Sequence, residues 1–367
     1  MERIAVFLMI ICLFTACMKE MEKDWSTRHR ESLKPAPPGG LYITNEGNFM
    51  YGNASLSYYN INTKEVVNDV FYKRNNLPIG DVLQSMAIRD TLAYLIVNNS
   101  GKIYVMNTNT YEYVGKITGL NSPRYIHFLN KRKAYVTDLY AKKIWIIDPL
   151  GDDYEISGIA NGMVTGSIDV SNNDTEFYQH PTEQMVQYNE LVFTNCWSYD
   201  NKILVINSEN DQLVDEITVG KQPSGMTLDR YNKLWVICDG GYEGSPYGVE
   251  APSLYRIDAA TRKVEWSQTF EEDQWPSELC TNGARDTIYW INENIYAMAA
   301  KDEQPQVKIP NKKTIFYGLG VDPITSEIYV ADAIDYVQQG VVYRFNREGT
   351  PLDTLRVGIN PGEATFY

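Results

Sequence analysis

Large aromatic side chains interleaved with amides and carboxylates mark the parts of this chain that could do chemistry. They gather in five stretches: Asn45-Glu46-Gly47-Asn48-Phe49-Met50-Tyr51, Asp138-Leu139-Tyr140, Asn195-Cys196-Trp197-Ser198-Tyr199-Asp200, Asp239 to Tyr247, and Asp332 to Gln339. Shorter segments add Gln84, Arg124, Tyr125, Gln222, Trp275, Phe316 and Tyr317. Tyr and Trp give rigid contact area with a polar tip, and Asn, Gln and Asp supply donors and acceptors between them. Together they suit a bulky, partly apolar ligand fringed with amides or hydroxyls. The ligand-binding set read this way is Phe49, Tyr51, Gln84, Arg124, Tyr125, Tyr140, Trp197, Tyr199, Tyr242, Tyr247, Trp275, Tyr317, Asp335 and Tyr336. Some of these rings are expected to pack between structural elements instead. The Asn or Asp that opens several stretches is expected to hydrogen-bond the turn that follows it.

Groups suited to catalysis are scarce. His127 sits in a strand pattern and reads as a satisfied core or channel histidine. His180 falls in a segment, 160–181, that reads as an insertion, and nothing marks it as a base or ligand. Asp169-Val170-Ser171-Asn172-Asn173-Asp174 has the oxygens for calcium but lacks the sixth-position glycine and the distal glutamate of an EF-hand loop. No nucleophile elbow, phosphate loop or paired metal-ligand spacing occurs. No catalytic residue and no metal site are expected, and the chain reads as a binding protein rather than an enzyme. With Cys12 and Cys17 set aside as N-terminal, Cys196, Cys238 and Cys280 remain. Their odd number and lack of metal spacing predict buried free thiols. The net charge of −14 argues against nucleic acid, whose phosphates need a basic stripe.

The elements that must position these loops repeat. A run of Ile/Leu/Val–Tyr/Trp–x–Ile/Phe closed by Asn or Asp ends at Asn60. It recurs at Ile103–Asn107, Ile144–Asp148, Ile203–Asn207 and Leu254–Asp258, in a degenerate copy at Ile295–Ala299, and at Val342–Asn346. Seven copies with a mean period of about 48 residues, rich in β-branched and aromatic residues, predict an all-β fold: a seven-bladed β-propeller over residues 41–367. Each blade should carry four antiparallel strands, A innermost to D outermost. The domain opens on Leu41-Tyr42-Ile43-Thr44, a B strand with no A strand before it. It closes on Pro361-Gly362-Glu363-Ala364-Thr365-Phe366, an A strand with no B strand after it. The C-terminal strand should therefore complete the first blade. In this arrangement the B–C and D–A loops, which hold the aromatic stretches, share one face around the central channel.

The N-terminus reads as an export and anchoring device. Met1-Glu2-Arg3 precedes the apolar run Ile4–Phe14, too short to span a bilayer, which needs about 20 residues. Residues 1–16 therefore read as a signal peptide. Phe14-Thr15-Ala16-Cys17 resembles the bacterial lipobox, which implies lipidation of Cys17. The polar, Pro-rich segment 17–40 reads as the lipidated N-terminus and a flexible tether. Its run Met18-Lys19-Glu20-Met21-Glu22-Lys23-Asp24 resembles an acidic signal for export to the outer face of the outer membrane.

Five motifs carry a family resemblance: Asn45-Glu46-Gly47-Asn48-Phe49, Ser122-Pro123-Arg124-Tyr125-Ile126-His127-Phe128, Asn195-Cys196-Trp197-Ser198-Tyr199, Asp239 to Tyr247, and Ala331-Asp332-Ala333-Ile334-Asp335-Tyr336. Over residues 41–367 the chain resembles the YncE-like seven-bladed propeller lipoproteins, and within them the BtuG-type surface proteins. The resemblance implies capture of cobalamin (vitamin B12) at the cell surface and its delivery to a BtuB-type TonB-dependent outer-membrane transporter. It implies an outer-membrane protein facing the cell exterior, touching the membrane through its lipid anchor only. Two alternatives stand beside it: a surface binding module for a glycan, peptide or protein, and a lactonase-type propeller enzyme.

Overall fold

The computed structural model describes residues 39–173 and 178–367. The expected signal peptide, the Cys17 anchor and the tether up to residue 38 lie outside the described residues. The rest is a ring of seven four-stranded antiparallel sheets. Every copy of the sequence repeat is strand C of its blade, from Ser55–Asn60 in blade 1 to Gln339–Phe345 in blade 7.

Burial explains why strands B and C are the legible ones. Blades stack face to face, so their middle strands are covered on both sides and read as continuous apolar runs. Leu92–Val97, strand B of blade 2, is buried at all six positions. Strand D faces solvent at the rim. Gln212–Thr218 in blade 4 is exposed at every second residue, the period of a half-covered strand. Apolar clusters fill the wedges between blades: Leu41, Ile43, Tyr329 and Val342 seal blade 7 against blade 1.

Blade 1 is assembled from both ends of the chain. Pro361–Phe366 pairs antiparallel with Gly40–Asn45, which continues into Ser55–Asn60 and Glu65–Val67. Backbone bonds from Tyr367 N–H to Gly40 C=O (2.9 Å) and from Gly47 N–H to Ile359 C=O (3.0 Å) extend the seam beyond the strands. The closure removes a sheet edge that would otherwise pair with other chains.

One organisational expectation needs correcting. The 160–181 segment is not a single insertion. Met163–Asp169 is strand D of blade 3, paired with Lys143–Asp148. A long C–D connection, containing a short helix at Tyr154–Ser157, displaces this strand from its usual distance after strand C. Six of its seven residues are exposed or half-buried, so it carries no strong apolar signal. Only the stretch from Val170 to Pro181 links blade 3 to blade 4.

Candidate functional site

The innermost strands share an irregularity. In all seven blades the A–B pairing slips at the entry to strand A, leaving extra residues there without a partner across the ladder. The residues in these bulges are Gln84, Arg124 with Tyr125, Glu183 with Gln184, Ser224, Glu278, Tyr317, and Gly362 with Glu363. A bulge bends its strand and re-aims a side chain. Repeated seven times around an axis, it sets a ring of side chains at the mouth of the channel. Glu278 holds φ of 51°, a left-handed conformation uncommon for a residue with a Cβ.

These side chains meet across blades. Arg124 Nε donates to both oxygens of Glu183 (2.7 and 2.9 Å), and Nη1 donates to Gln84 Oε1. Arg124 thereby ties blade 3 to both its neighbours. Tyr317 OH donates to Glu46 Oε2 (2.9 Å), and the Met86 backbone N–H donates to Glu363 Oε2 (2.9 Å). Glu278 is half-buried and, among the described residues, no hydrogen bond reaches its carboxylate. Four glutamates and one arginine thus share the mouth.

Their ionisation reflects that crowding. Burial, with Glu363 and Glu46 adding repulsion, pushes the Glu278 carboxyl up to about 8. Burial pushes Glu363 up to about 7, against the Met86 N–H that favours its anion. Glu46 is raised by burial, against the Tyr317 hydroxyl and the Arg124 charge. Burial also raises Tyr125, with the Glu183 charge adding to it. Near neutral pH the mouth therefore holds carboxyls that can donate a hydrogen bond as well as carboxylates that accept one.

The anticipated ligand-binding residues fall into two layers. Gln84, Arg124, Tyr125 and Tyr317 belong to the bulge ring. In the B–C and D–A loops Phe49, Tyr51, Tyr140, Tyr242, Trp275 and Tyr336 stand exposed, from 46% at Tyr336 to 79% at Tyr51. Such exposure excludes a blade-packing role for these six. Trp197, Tyr199 and Tyr247 are half-buried and do support the structure. The Trp197 ring lies 5.9 Å from the Arg124 guanidinium, and its Nε1–H donates to Asp239 Oδ2 (3.1 Å). Tyr199 and Tyr247 pack 5.4 Å apart. Asp335 takes the Val337 and Gln338 N–H groups on Oδ1 (3.0 and 2.9 Å) and Gln338 Nε2 on Oδ2 (3.0 Å). It shapes its own turn. Loops from distant blades also join: Asn48 Nδ2 donates to Tyr336 C=O (2.7 Å), and the Tyr336 ring stands edge-on to Tyr317 at 5.8 Å.

The residues that end strand B are structural. Asp138 accepts from the Ser122, Tyr140 and Ala141 N–H groups and from Trp145 Nε1–H. Asp332 accepts from the Ile315 and Ile334 N–H groups and from Tyr343 OH. His127 pairs with Gln187 (2.9 Å), and burial holds it below the usual histidine range. Asp169 accepts Ser171 N–H and Oγ–H and forms a turn. Cys196, Cys238 and Cys280 are unpaired with one another, the first two buried and the third half-buried.

Sequence reasoning missed Glu46, Glu183, Glu278 and Glu363 as site residues. Glu183, Glu278 and Glu363 stand at the same entry position of strand A as Arg124 and Tyr317. That shared place in the repeat is the signal that marks them.

No curated protein sequence matches the chain significantly. Solved structures match its fold at low identity. A quinonprotein alcohol dehydrogenase-like protein from Bacteroides thetaiotaomicron aligns at 14% identity and TM-score 0.63, over 89% of this chain and 78% of that one. A periplasmic gluconolactonase of Pseudomonas aeruginosa aligns at 10% and 0.62, over 88% and 98%. AztD from Citrobacter koseri, in its apo form, aligns at 11% and 0.52, over 89% and 82%. Residues 39–360 match the model of a domain of unknown function, DUF5074, so the chain belongs to that family.

Proposed function

We propose that this protein is a cell-surface lipoprotein that captures cobalamin and passes it to a BtuB-type TonB-dependent outer-membrane transporter, without catalysing a reaction on it. The observation that carries the reading is the pairing, on one face of the propeller, of six exposed aromatic rings in the B–C and D–A loops with the ring of Gln84, Arg124, Glu183, Glu278, Tyr317 and Glu363 at the strand entries. A corrin offers apolar faces to such rings and a fringe of amides to such a polar floor. Amide carbonyls accept from protonated Glu278 and from Arg124; amide N–H groups donate to Glu183 and Glu46. Each hydrogen bond contributes about 0.5–1.5 kcal/mol net, and each aromatic contact about as much beyond area. Tight capture therefore requires several blades to engage one ligand at once, which a propeller mouth allows. The export signal and the lipid anchor at Cys17 expected from the sequence support a place at the cell surface for this reading.

Calorimetry with cyanocobalamin tests the reading. One-to-one binding at micromolar protein is expected. A folded protein that gives no heat, and no change in its melting temperature with the vitamin present, refutes it. A second reading is favoured by one observation, the raised carboxyl pair Glu278 and Glu363, because such groups suit general acid–base catalysis near neutral pH. A propeller hydrolase acting on a sugar lactone would release acid from gluconolactone faster than buffer does, and Glu278→Gln would abolish the excess.

A further inference from the structure

Away from the channel floor, at the start of blade 4, three side chains of different chemistry converge. His180 comes from the link between blades 3 and 4, Cys196 ends strand B (Leu191–Cys196), and Asp200 lies in the loop before strand C. One imidazole nitrogen, the thiol sulfur and one carboxylate oxygen lie within 4.8 Å of one another. Cys196 is fully buried, and the His180 and Asp200 side chains are about 95% buried. We propose that His180 Nδ1, Cys196 Sγ and Asp200 Oδ2 form a binding site for one zinc-type divalent cation, with Glu216 orienting the histidine.

Four observations support it. The donor set joins imidazole, thiolate and carboxylate, the borderline mixture that selects zinc over calcium or magnesium.

Both ring nitrogens of His180 face carboxylates: Nδ1 lies 2.5 Å from Asp200 Oδ2, and Nε2 lies 3.7 Å from Glu216 Oε1. With an ion on Nδ1 the ring keeps its N–H on Nε2, on the side of Glu216. Metal-bound histidines commonly hold a carboxylate in this way.

Among the described residues no Lys or Arg pairs with Asp200 or Glu216, so two carboxylates meet here with only His180 beside them. A dication supplies the missing positive charge.

The ligands are held from behind. Asp200 Oδ1 accepts the Asn201 N–H (2.7 Å), the Asp200 C=O accepts the Gln222 N–H (2.8 Å), the His180 N–H donates to Val170 C=O (2.9 Å), and Thr182 pairs with Cys196 across strands A and B.

Binding is a proton exchange. The thiol gives its proton to solvent as the sulfur–metal bond forms, and the proton held between Nδ1 and Asp200 is transferred through solvent to Nε2, so one proton leaves per ion bound. His180 and Asp200 part from hydrogen-bond distance to flank the ion at metal–ligand lengths of about 2.0–2.2 Å. Three protein ligands leave a fourth position for water. Glu216 is 42% exposed and marks the side from which an ion enters. The loop between the ligands carries Trp197 and Tyr199, so an ion at its base fixes that part of the mouth. The inference does not depend on the identity of the ligand bound above.

The test uses the full folded protein, stripped with a chelator and titrated first with zinc against a chromophoric competitor and then with cobalt. Expected results are one equivalent bound, about one proton released, and a thiolate-to-cobalt charge-transfer band. Cys196→Ser abolishes the band, and Glu216→Gln, on the exposed outer strand, lowers affinity about 10- to 100-fold. A cobalt spectrum without the band, or equal affinity in the parent and Cys196→Ser, overturns the proposal. So does unchanged zinc affinity in Glu216→Gln together with no proton release.

Discussion

Replacing Glu278 by Gln should make this protein more stable, and only above a definable pH. Glu278 titrates near 4.5 in an unfolded chain and near 8 in the folded one. Below 4.5 both states hold the proton and the group is neutral in the balance. Between 4.5 and 8 the native state keeps a proton that the unfolded chain has released, so stability falls as pH rises across that window. Above 8 both states are ionised, and the native state bears the whole cost of a charge buried beside Glu363 and Glu46. Each pH unit of the window is worth about 1.4 kcal/mol, so the full effect reaches at most about 5 kcal/mol. Glutamine keeps the side-chain length and the left-handed backbone at this position while removing the titration. Urea unfolding of parent and variant at pH 4.5, 6, 7 and 8.5 measures the difference directly. The two should agree at the lowest pH and diverge upward in favour of Glu278→Gln. Parallel curves, or a variant less stable than the parent at pH 8.5, would refute the claim that the mouth buries an unpartnered carboxyl.

Four further outcomes are expected. Arg124→Ala leaves Glu183 buried without its cation and should cost about 3–5 kcal/mol, part of which Glu183→Gln in the same chain restores; a loss under about 1 kcal/mol in urea unfolding counts against the ion pair as a tie between blades. Deleting residues 359–367 removes strand A of blade 1 and uncovers Leu41 and Ile43, so the cooperative melting transition should disappear; a truncated chain that melts like the parent contradicts the closure. Tyr242→Ala with Trp275→Ala should weaken cyanocobalamin binding by more than tenfold in calorimetry at unchanged melting temperature, because both rings are exposed. Trp197→Ala should lower both quantities, because that ring also braces Arg124 and Asp239.

The blades were legible where burial is continuous. Strand C announces itself best where its apolar residues are covered on both faces, as at Lys102–Asn107 and Lys202–Asn207, and least in the degenerate copy of blade 6; the unmatched strands at the two ends force the closure. Met163–Asp169 escaped notice for the opposite reason: an outer strand facing solvent needs little apolar patterning, and the loop before it spoiled the period. The site was half legible. Exposed rings such as Tyr51 and Tyr242 follow from loop position and residue type alone. Which rings turn inward does not, since Trp197 and Tyr140 occupy comparable loops, and only the ring of the first finds a carboxylate, the half-buried Asp239, to bond. His180, Cys196 and Asp200 could not be joined from the sequence. Their spacings match no metal signature, and the link that carries His180 folds back beside the end of strand B for reasons of tertiary packing.

The bulges explain why the recognition chemistry sits at the strand entries instead of along the strands. Deeper in each blade, strand A must pair with strand B and pack on its neighbours, so its side chains are constrained by the core. At the slip, a residue loses its ladder partner and gains freedom of direction. It faces the axis, where it meets the equivalent residue of other blades. Repetition alone would place seven identical groups there, and seven like charges would repel one another. This chain places Gln84, Arg124, Glu183, Ser224, Glu278, Tyr317 and Glu363 at the entries, with Arg124 set between Gln84 and Glu183. The remaining carboxyls then have too little positive charge nearby, and Glu278 and Glu363 hold their protons toward neutral pH. A mouth built this way presents donors and acceptors that differ from blade to blade, so it can tell one orientation of an unsymmetrical ligand from another. A ring of identical residues could not.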